Sequence, residues 1–559
     1  MASNLPKDRA KIKDVAEWEK ARKITPDMVE TAKIILREIQ AGEDTFKTIR
    51  RYPVAKRGNI SKHVLVTVYR AMVESGEIEE DEALLAKIRM KPMRTLSGVT
   101  TVTVLTRPYP CPGKCIFCPS DARMPKSYLP DEPGAARAYQ NDFDPYLQVQ
   151  SRINTYQAVG HPTNKIELLI LGGSWTYYPE AYQKEFVQRC LDAMNGLDSS
   201  SLEEAQRINE TSECRNVGLV VETRPDEINA ERLLFLRKLG VTKIQLGIQS
   251  LNDEILAVNR RGHTVKQALE ATALCREAGF KLVMHWMPNL LGTTAEMDKE
   301  DFARLWLESD SGLGFCPDEL KIYPTQLLEN SDLYQQWKNG LYHPYDTDTL
   351  ISLIAGLKMT VPRYCRINRI IRDIPSHHIV AGSTRSSLRM DVQKLVKRSG
   401  GSCKCIRCRE IRGQAVDQED LTIQDTVYYP AHAKEHFLEI VTSKDKLIGY
   451  LRLSIPLQTD PGLDIDDLRD AAIIREIHIY GQSVDVGSNV EGAAQHSGFG
   501  KTLIEKAKEI AILEGKKRLS VIAAIGTRNY YLARGFSDGT YYMTLDLESD
   551  AAAETDIPC

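Results

Sequence analysis

The spacing of apolar residues changes along the chain. Up to about residue 90, apolar positions recur every three or four residues, which predicts amphipathic helices. From residue 100, short runs of β-branched and aliphatic residues predict strands, and helical periodicity follows each of them. The runs cover 100–106, 165–173, 217–226, 243–250, 281–290 and 319–325. This order predicts a parallel β/α barrel, or part of one, whose chemistry lies at the carboxyl ends of the strands.

The strand–helix alternation stops after about residue 390. The stretch RSGGSCKCIRCREIRGQ indicates a Gly-rich connector, and a hairpin-like pair, a strand, a glycine loop and helices then indicate a further α/β domain. We therefore divide the chain into a helical basic region (1–90), a partial barrel (91–390), a cysteine-bearing linker (391–415) and a C-terminal α/β domain (416–559).

Composition narrows the class of protein. The 559 residues are 42% hydrophobic and 27% charged with a net charge of −3, so a nucleic acid would have to be held by local basic patches. We find neither 18 consecutive apolar residues nor the apolar core of a signal peptide at the start. Half of the 12 cysteines stand in two clusters with metal-ligand spacing, which favours a reducing compartment. We expect a cytoplasmic protein without a membrane partner.

Cys111, Cys115 and Cys118 form a C-x3-C-x2-C cluster directly after the first predicted strand. A closed structural zinc site uses four ligands, and no Cys or His nearby in sequence supplies the fourth. An iron–sulfur cubane is usually held by four cysteines, so three leave one iron open to a substrate or cofactor. The cluster therefore favours a [4Fe–4S] centre with an open iron over a structural zinc.

The second cysteine cluster lies in the linker, without a strand before it. It comprises Cys403, Cys405 and Cys408. We expect a structural Zn2+ that joins two domains and takes a fourth ligand from elsewhere. Cys316 is the expected fourth ligand, and its rivals are Cys365, His377 and His378. A second redox cluster is the less favoured alternative.

A glycine loop in the C-terminal domain, QHSGFGKTL, enters a predicted helix. Free N–H groups at a helix N-terminus can bind a phosphate. The expected binding residues are Gln495, Gly498, Phe499, Gly500 and Lys501. In the strand before the loop, Glu476 and His478 share one face, and the backbone that includes Ile477 and Ile479 could pair with an extended ligand.

The first cysteine cluster, placed after the first strand of a partial barrel, resembles the signature of radical S-adenosylmethionine enzymes. The resemblance implies that the open iron binds S-adenosylmethionine and that a 5′-deoxyadenosyl radical is formed. In LGGSW (171–175), Ser174 replaces an acidic residue that the superfamily often has there. Glu222 and Gln249, at the ends of the third and fourth strands, would contact the cofactor or satisfy only loop backbone.

The C-terminal order of hairpin, strand, Q-x-x-G-x-G loop, helix and NYY helix resembles the GNAT acetyltransferases. This resemblance implies acetyl-CoA at the glycine loop and Tyr530 or Tyr531 as the general acid for the leaving thiolate. His478 is a further catalytic candidate. With the motifs KPMRTLSGV, VETRPD, KIQLGIQS and REIHIYG, the chain is identified as a member of the Elongator catalytic-subunit family, which includes stand-alone prokaryotic relatives.

The family resemblance implies a carboxymethyl-type modification at C5 of the wobble uridine of tRNA, made with a radical and acetyl-CoA. A direct acetyl transfer from acetyl-CoA cannot place a carboxymethyl-type group on C5. Lys165 matches a family lysine near acetyl-CoA. Elongator-like subunits or a second copy of the chain are the implied protein partners. The alternatives are a protein lysine acetyltransferase with a structural iron–sulfur cluster, and a non-catalytic RNA-binding scaffold.

Basic residues form two candidate RNA surfaces. One is a row spaced by threes with few interleaved acids, which we expect to follow a phosphate backbone rather than to form ion pairs. It comprises Arg363, Arg366, Arg369 and Arg372, with Arg385 beyond it. The other, in the N-terminal region, comprises Arg50, Arg51, Lys56 and Arg57. Together they would hold the anticodon stem-loop of tRNA while its bases are splayed.

Overall fold

A computed structural model describes residues 24–54, 58–92, 95–412, 420–457, 463–481 and 498–547. Lys56, Arg57 and Gln495, three of the predicted binding residues, lie outside these ranges. The chain divides into two compact units, one within Met1–Arg94 and Asn154–Pro162 and the other within Thr95–Ile153 and Thr163–Cys559. The barrel and the C-terminal sheet thus belong to the same unit.

The first unit is helical, as the apolar spacing predicts. Its helices are α1 (Pro26–Gln40), α2 (Thr45–Arg51), α3 (Lys62–Glu74) and α4 (Glu82–Ile88). The side chains of Asp44 and Asp81 accept backbone N–H groups at the starts of α2 and α4, which offsets the unpaired donors of a first turn. Ile35, Leu65 and Ile88 lie in the core that α1, α3 and α4 share.

A seven-stranded parallel sheet dominates the second unit. Its order is β1-β2-β3-β4-β5-β6-β8. The strands are β1 (Thr100–Leu105), β2 (Lys165–Leu171), β3 (Arg215–Thr223), β4 (Lys243–Gln249), β5 (Lys281–Trp286), β6 (Glu319–Ile322) and β8 (Arg366–Arg369). The first six confirm the predicted strands. We did not predict β8, because RINR has only one apolar residue and therefore no strand-like alternation.

Helices connect and cover these strands. They are α5 (Pro133–Gln140), α6 (Pro145–Ala158), α7 (Glu180–Asn195), α8 (Leu202–Asn209), α9 (Ala230–Lys238), α10 (Asp253–Val258), α11 (Val265–Glu277), α12 (Ala295–Arg304), α13 (Leu333–Lys338), α14 (Thr347–Thr360), α15 (Leu388–Arg398) and α16 (Ile406–Arg409). A two-stranded pair, β7 (Leu327–Leu328) and β9 (Ile379–Ala381), lies beside them. Every residue of β5 is buried, as expected for a parallel strand covered on both faces.

The C-terminal sheet has the order β10-β11-β12-β13-β14-β16-β15. Its strands are β10 (Leu421–Tyr428), β11 (Ala433–Thr442), β12 (Leu447–Pro456), β13 (Ala471–Ile479), β14 (Arg518–Val521), β15 (Ser537–Asp538) and β16 (Met543–Asp546), and its helices are α17 (Phe499–Leu513) and α18 (Arg528–Leu532). β13 and β14 are parallel and pair only from Ala471 to Ile474. Because β13 runs on to Ile479, the two strands separate beyond Ile474.

A buried ion network joins the barrel to the C-terminal sheet. Arg475 of β13 donates from Nη1 and Nη2 to the two carboxylate oxygens of Asp318, both at 2.7 Å, and from Nη2 to Oε2 of Glu435 at 2.7 Å. All three side chains are fully buried. Buried charges persist only when they are paired and hydrogen-bonded, so this contact ties the two sheets in one relative position. Among the described residues, no helix is long and apolar enough to cross a membrane.

Candidate functional site

The first cysteine cluster lies on the loop that leaves the carboxyl end of β1. Cys115 is buried, while Cys111 and Cys118 are partly exposed. The backbone of Ile116 donates to the carbonyl of Asn259 at 3.2 Å and accepts from the N–H of Leu333 at 2.8 Å, which holds the loop against the barrel. The cysteines therefore stand where chemistry is expected in a β/α barrel.

Two arginines that we did not predict lie against Cys115. Nη1 of Arg261 is 3.2 Å from the Cys115 sulfur, and Nη1 of Arg224 is 3.8 Å from it. A hydrogen bond from Cys118, followed by the charge of Arg261 and then of Arg224, lowers the pKa of the Cys115 thiol to about 4. A thiolate is the form that binds a metal. The sequence offered a signal for Arg224, which stands at the end of the third predicted strand, but none for Arg261, which follows α10.

The glycines after β2 let the backbone approach the cysteine loop closely. A Cβ at Gly172 would clash with Oγ1 of Thr106, and Gly173 has a φ of +86° and passes the carbonyl of Lys126. Ser174, which follows them, is buried with its Oγ 3.7 Å from the sulfur of Cys111. The structure thus brings the serine at the acidic position of the superfamily to the cysteines.

Polar groups at the ends of β3 and β4 face the same region. Glu222 accepts a hydrogen bond from the hydroxyl of Tyr128 at 3.1 Å. Gln249 is buried in a left-handed conformation (φ 69°), and within the described structure its Oε1 has no hydrogen-bond partner. Nε of Arg261 is likewise buried and unpartnered within these ranges. These buried polar atoms beside three cysteines can form hydrogen bonds with a polar cofactor. The residues present therefore fit a [4Fe–4S] cluster with S-adenosylmethionine.

Polar side chains on β4, β5 and β6 contact one another across the parallel sheet. Nε2 of His285 and Oε1 of Gln245 are 3.1 Å apart, and Lys321 also contacts this oxygen. Nearer the amino ends of the strands, Lys281 lies 2.6 Å from a carboxylate oxygen of Glu319. These ion pairs continue into the C-terminal sheet.

Glu476 is predicted to bind a cofactor, but its carboxylate is part of this ion-pair network. Its carboxylate contacts Lys281 and accepts from Tyr450 at 2.7 Å and from Nε of Arg452 at 3.0 Å. Burial alone would raise the pKa of Glu476, but Lys281 and Arg452 lower it to about 2. These contacts argue for a positioning role in place of direct cofactor binding.

Lys165, predicted to lie near acetyl-CoA, is the first residue of β2. It therefore stands at the amino end of the parallel strands, whereas the cysteines follow the carboxyl end.

The predicted segment of β13 continues past Ile474, where the pairing with β14 ends. His478 and Glu476 share one face of β13, as the alternation predicts, and lie opposite Tyr450 and Arg452 on β12. Nε2 of His478 is 3.2 Å from the carbonyl oxygen of Ser97. Burial lowers the pKa of His478 to about 4, so its imidazole is neutral at pH 7. On β12, Leu451 pairs with Ile477 and Gly449 pairs with Ile479.

The start of α17 meets a tyrosine. Gly498 precedes the helix with a φ of 75°, and Phe499, Gly500 and Lys501 form its first turn. A Cβ at Gly500 would clash with the hydroxyl of Tyr530, so only glycine allows this approach. Free N–H groups in a first turn, with glycines around them, fit a phosphate group.

The two tyrosines of the NYY helix differ in environment. Tyr531 is buried against Tyr530 and Phe536, with ring centroids 5.2 and 5.5 Å apart. Tyr530 is half-buried at the helix start, where burial raises its pKa and keeps the phenol protonated at neutral pH. The geometry favours Tyr530 as the candidate acid and Tyr531 as a core residue.

Cys403, Cys405 and Cys408 converge on one point, since their sulfur atoms lie within 4.8 Å of one another. Nζ of Lys358 is 3.2 Å from the Cys408 sulfur. Three sulfurs at this spacing fit one Zn2+ ion that needs a further ligand.

The expectation that Cys316 completes this set is wrong. Among the described residues, Cys316 does not belong to the converging group. It is fully buried, and its sulfur is 3.9 Å from the carbonyl oxygen of Leu307. The rival Cys365 is also outside the group, although its carbonyl accepts from the N–H of Ile406 at 3.0 Å, and the rivals His377 and His378 lie beside Asp131 instead.

The arginine row is not a continuous surface for phosphates, so this interpretation is corrected. Residues 366–369 form β8, where a spacing of three puts side chains on opposite faces. Arg363 pairs with Glu439, Arg366 with Glu410, and Arg372 with Glu132. The acids are distant in sequence, which is why the local pattern looked free of partners. Arg369 and Arg385 are exposed, 3.1 Å from Asp373 and 3.5 Å from Asp391.

In the N-terminal unit, Arg50 and Arg51 lie at the exposed end of α2. Arg51 pairs with Glu38 at 2.9 Å and with Glu43 at 3.4 Å, so part of its charge is neutralised. A role of either residue in RNA binding stays a prediction.

Comparison with known proteins identifies the family. Residues 109–305 match the Radical SAM superfamily, and residues 317–398 match the Radical_SAM C-terminal domain. The chain is 42% identical over 485 residues to the tRNA uridine(34) acetyltransferase of Methanocaldococcus jannaschii, covering 84% of this chain and 88% of that one. The chain belongs to the family of tRNA uridine(34) acetyltransferases and Elongator complex protein 3.

Other members of this family align with a similar share of the chain. The tRNA uridine(34) acetyltransferase of Dehalococcoides mccartyi is 41% identical, with 81% of this chain and 99% of that one aligned. Elongator complex protein 3 of Saccharomyces cerevisiae is 35% identical, with 82% of this chain and 85% of that one aligned. Among solved structures, Methanocaldococcus infernus Elp3 with an N-terminal deletion has a TM-score of 0.70 at 36% identity, covering 80% of this chain and 99% of that one.

Proposed function

We propose that the protein modifies the wobble uridine of tRNA at C5, adding a carboxymethyl-type group derived from acetyl-CoA. When bound, a [4Fe–4S] cluster and S-adenosylmethionine supply a 5′-deoxyadenosyl radical, and acetyl-CoA supplies the acetyl group. One observation carries the proposal. Three cysteines and two arginines lie together at the carboxyl end of the parallel sheet, and buried ion pairs join this sheet to the C-terminal domain that contains the glycine loop.

At the cysteine end, the chain would hold the cluster through Cys111, Cys115 and Cys118. Arg224 and Arg261 would donate to the Cys115 sulfur and offset its negative charge. The open polar atoms beside them, together with the close backbone at Gly172 and Gly173, would bind and orient the methionine part of the cofactor.

At the other end, the N-terminus of α17 would bind the pyrophosphate of acetyl-CoA. The segment of β13 beyond Ile474, where the pairing with β14 ends, would lie along the pantetheine arm, and Tyr530 would protonate the thiolate that leaves when the thioester is hydrolysed. Neutral His478 on the same strand would be available to accept a proton. Exposed Arg369, Arg385 and Arg50 would contact the phosphates of the tRNA.

The test is an anaerobic reaction of the reconstituted protein with reductant, S-adenosylmethionine, acetyl-CoA and tRNA. We expect 5′-deoxyadenosine and a mass gain on uridine by nucleoside mass spectrometry. Cys115→Ala should abolish both products, whereas Cys275→Ala, which removes a buried thiol on α11, should keep them. Unmodified uridine with an intact cluster, or full activity of Cys115→Ala, would overturn the proposal.

A protein lysine acetyltransferase with a structural cluster is the alternative. It predicts acetyl transfer to a peptide without S-adenosylmethionine. The open polar atoms at Gln249 and Arg261 favour a bound cofactor over a purely structural cluster. The same reaction mixture, with a lysine peptide in place of tRNA, separates the two activities.

A further inference from the structure

Asp131, His377 and His378 bring three metal-ligating atoms together at a place that the proposed reaction does not use. Nε2 of His377 lies 2.8 Å from Oδ2 of Asp131, and Nε2 of His378 lies 2.7 Å from Oδ1. The three ligand atoms lie within 4.8 Å of one another. Two imidazoles and one carboxylate are a donor set that Zn2+ and related divalent ions use in proteins.

Both imidazoles direct a nitrogen at the same carboxylate. The ring centroids of His377 and His378 are 4.2 Å apart, and each Nε2 faces a different oxygen of Asp131. A divalent cation can accept lone pairs from two neutral imidazoles and from one carboxylate at the same time. The three side chains therefore present a convergent set of donors.

The residues around the cluster hold its two segments in place. Glu132, next to Asp131, accepts from Nη2 of Arg372 at 2.8 Å, and Arg372 also donates from Nη1 to Oγ of Ser127 at 2.9 Å. The guanidinium of Arg372 lies 4.9 Å from the ring centre of Tyr128. Ligands carried by segments that are already fixed need little ordering to bind an ion.

We propose that Asp131, His377 and His378 bind a divalent cation of the zinc class. Three protein ligands leave one position for water, and the side chains are 33–50% exposed, so the ion can enter from solvent. The bound ion would hold the loop that follows Cys118 against the segment that follows β8. This site is separate from the second cysteine cluster and does not depend on the proposed activity.

The test is a calorimetric titration of Zn2+ into the full-length protein after anaerobic cluster reconstitution. We expect one binding event to disappear in the His377→Ala/His378→Ala variant. In Asp131→Asn it should weaken at least about tenfold, since even residues that only support a ligand contribute about 10- to 100-fold. His343→Ala removes another exposed histidine and should change nothing. Cys403→Ser should remove a different event, with an effect that adds to that of the double variant.

Equal Zn2+ stoichiometry and affinity in wild type, the double variant and Asp131→Asn would overturn the proposal. Thermal unfolding in the presence of Zn2+ provides a second readout. Zn2+ should raise the midpoint in wild type more than in the double variant. If both proteins respond equally, or if the variants lose stability without losing zinc, the three residues form only an ion-pair clamp and the proposal is wrong.

Discussion

Replacing Arg475 with Met tests the contact that ties the two sheets together. The side chain donates to Asp318 and Glu435 through three hydrogen bonds of 2.7 Å and, from Nε to Glu435, two of 3.0 and 3.1 Å. Nη1 also donates to the carbonyl of Phe280 at 3.0 Å. Methionine keeps most of the volume but none of the donors. The variant therefore leaves two buried carboxylates without their main partner.

The magnitude follows from what those carboxylates keep. Asp318 still has Nη1 of Arg452 at 3.4 Å and the N–H of Leu282 at 2.8 Å, and Glu435 still has Nη1 of Arg276 at 3.6 Å. Breaking a buried pair costs about 3–5 kcal/mol. Because these contacts remain, we expect the lower end, about 3 kcal/mol.

Amide hydrogen exchange measures this loss locally. A loss of about 3 kcal/mol corresponds to roughly 10²-fold faster exchange, which we expect in β11 and β13, the strands that carry Glu435 and Arg475. Arg469→Met is the matched control, because Arg469 is 68% exposed and pairs only with surface acids. It should cost about 0.5 kcal/mol or less. If Arg475→Met exchanges no faster than this control, the network does not stabilise the contact.

Three further changes test the site. Arg261→Met should lower the one-electron reduction potential of the cluster by up to ~130 mV in redox titrations, because a charged hydrogen bond contributes about 1.5–3 kcal/mol. Exposed Arg260→Met should leave the potential unchanged, and an unchanged potential in Arg261→Met would refute the role of Arg261. Tyr530→Phe should slow acetyl-CoA-dependent turnover about 10²-fold or more with the cluster intact, and Tyr531→Phe should change it little; the reverse order would exclude Tyr530 as the acid. Because the pKa of His478 falls from 6.5 in the unfolded chain to about 4 in the fold, the unfolded state binds more protons between these values. The wild type should therefore lose up to ~3 kcal/mol of unfolding free energy as the pH falls through this window, and urea unfolding of His478→Phe should lack that loss.

Local patterns were enough to predict the main elements. The six strands from β1 to β6 and the helices α1 and α3 repeat apolar residues at the spacing of their own backbone. The three cysteines after β1 and the glycines before α17 are likewise short-range features, because spacing within about ten residues determines what they can bind. These features could be predicted without knowledge of the packing.

Long-range pairing decided the remaining assignments. The acids that neutralise Arg363 and Arg372 are 76 and 240 residues away in sequence, so the row looked free of partners. Arg261 reaches the Cys115 sulfur across 146 residues, and no local pattern marks it.

Apolar periodicity and ligand spacing are properties of neighbouring residues. The sequence by itself therefore determined most of the strands and helices, the cysteine cluster and the glycine loop. A charge or a metal ligand finds its partner only when distant segments pack together. The tertiary structure alone therefore decided that Cys316 stands apart from the second cysteine cluster and that Tyr530, not Tyr531, meets the start of α17. Both outcomes depend on which segments are adjacent in space, which residue spacing does not record.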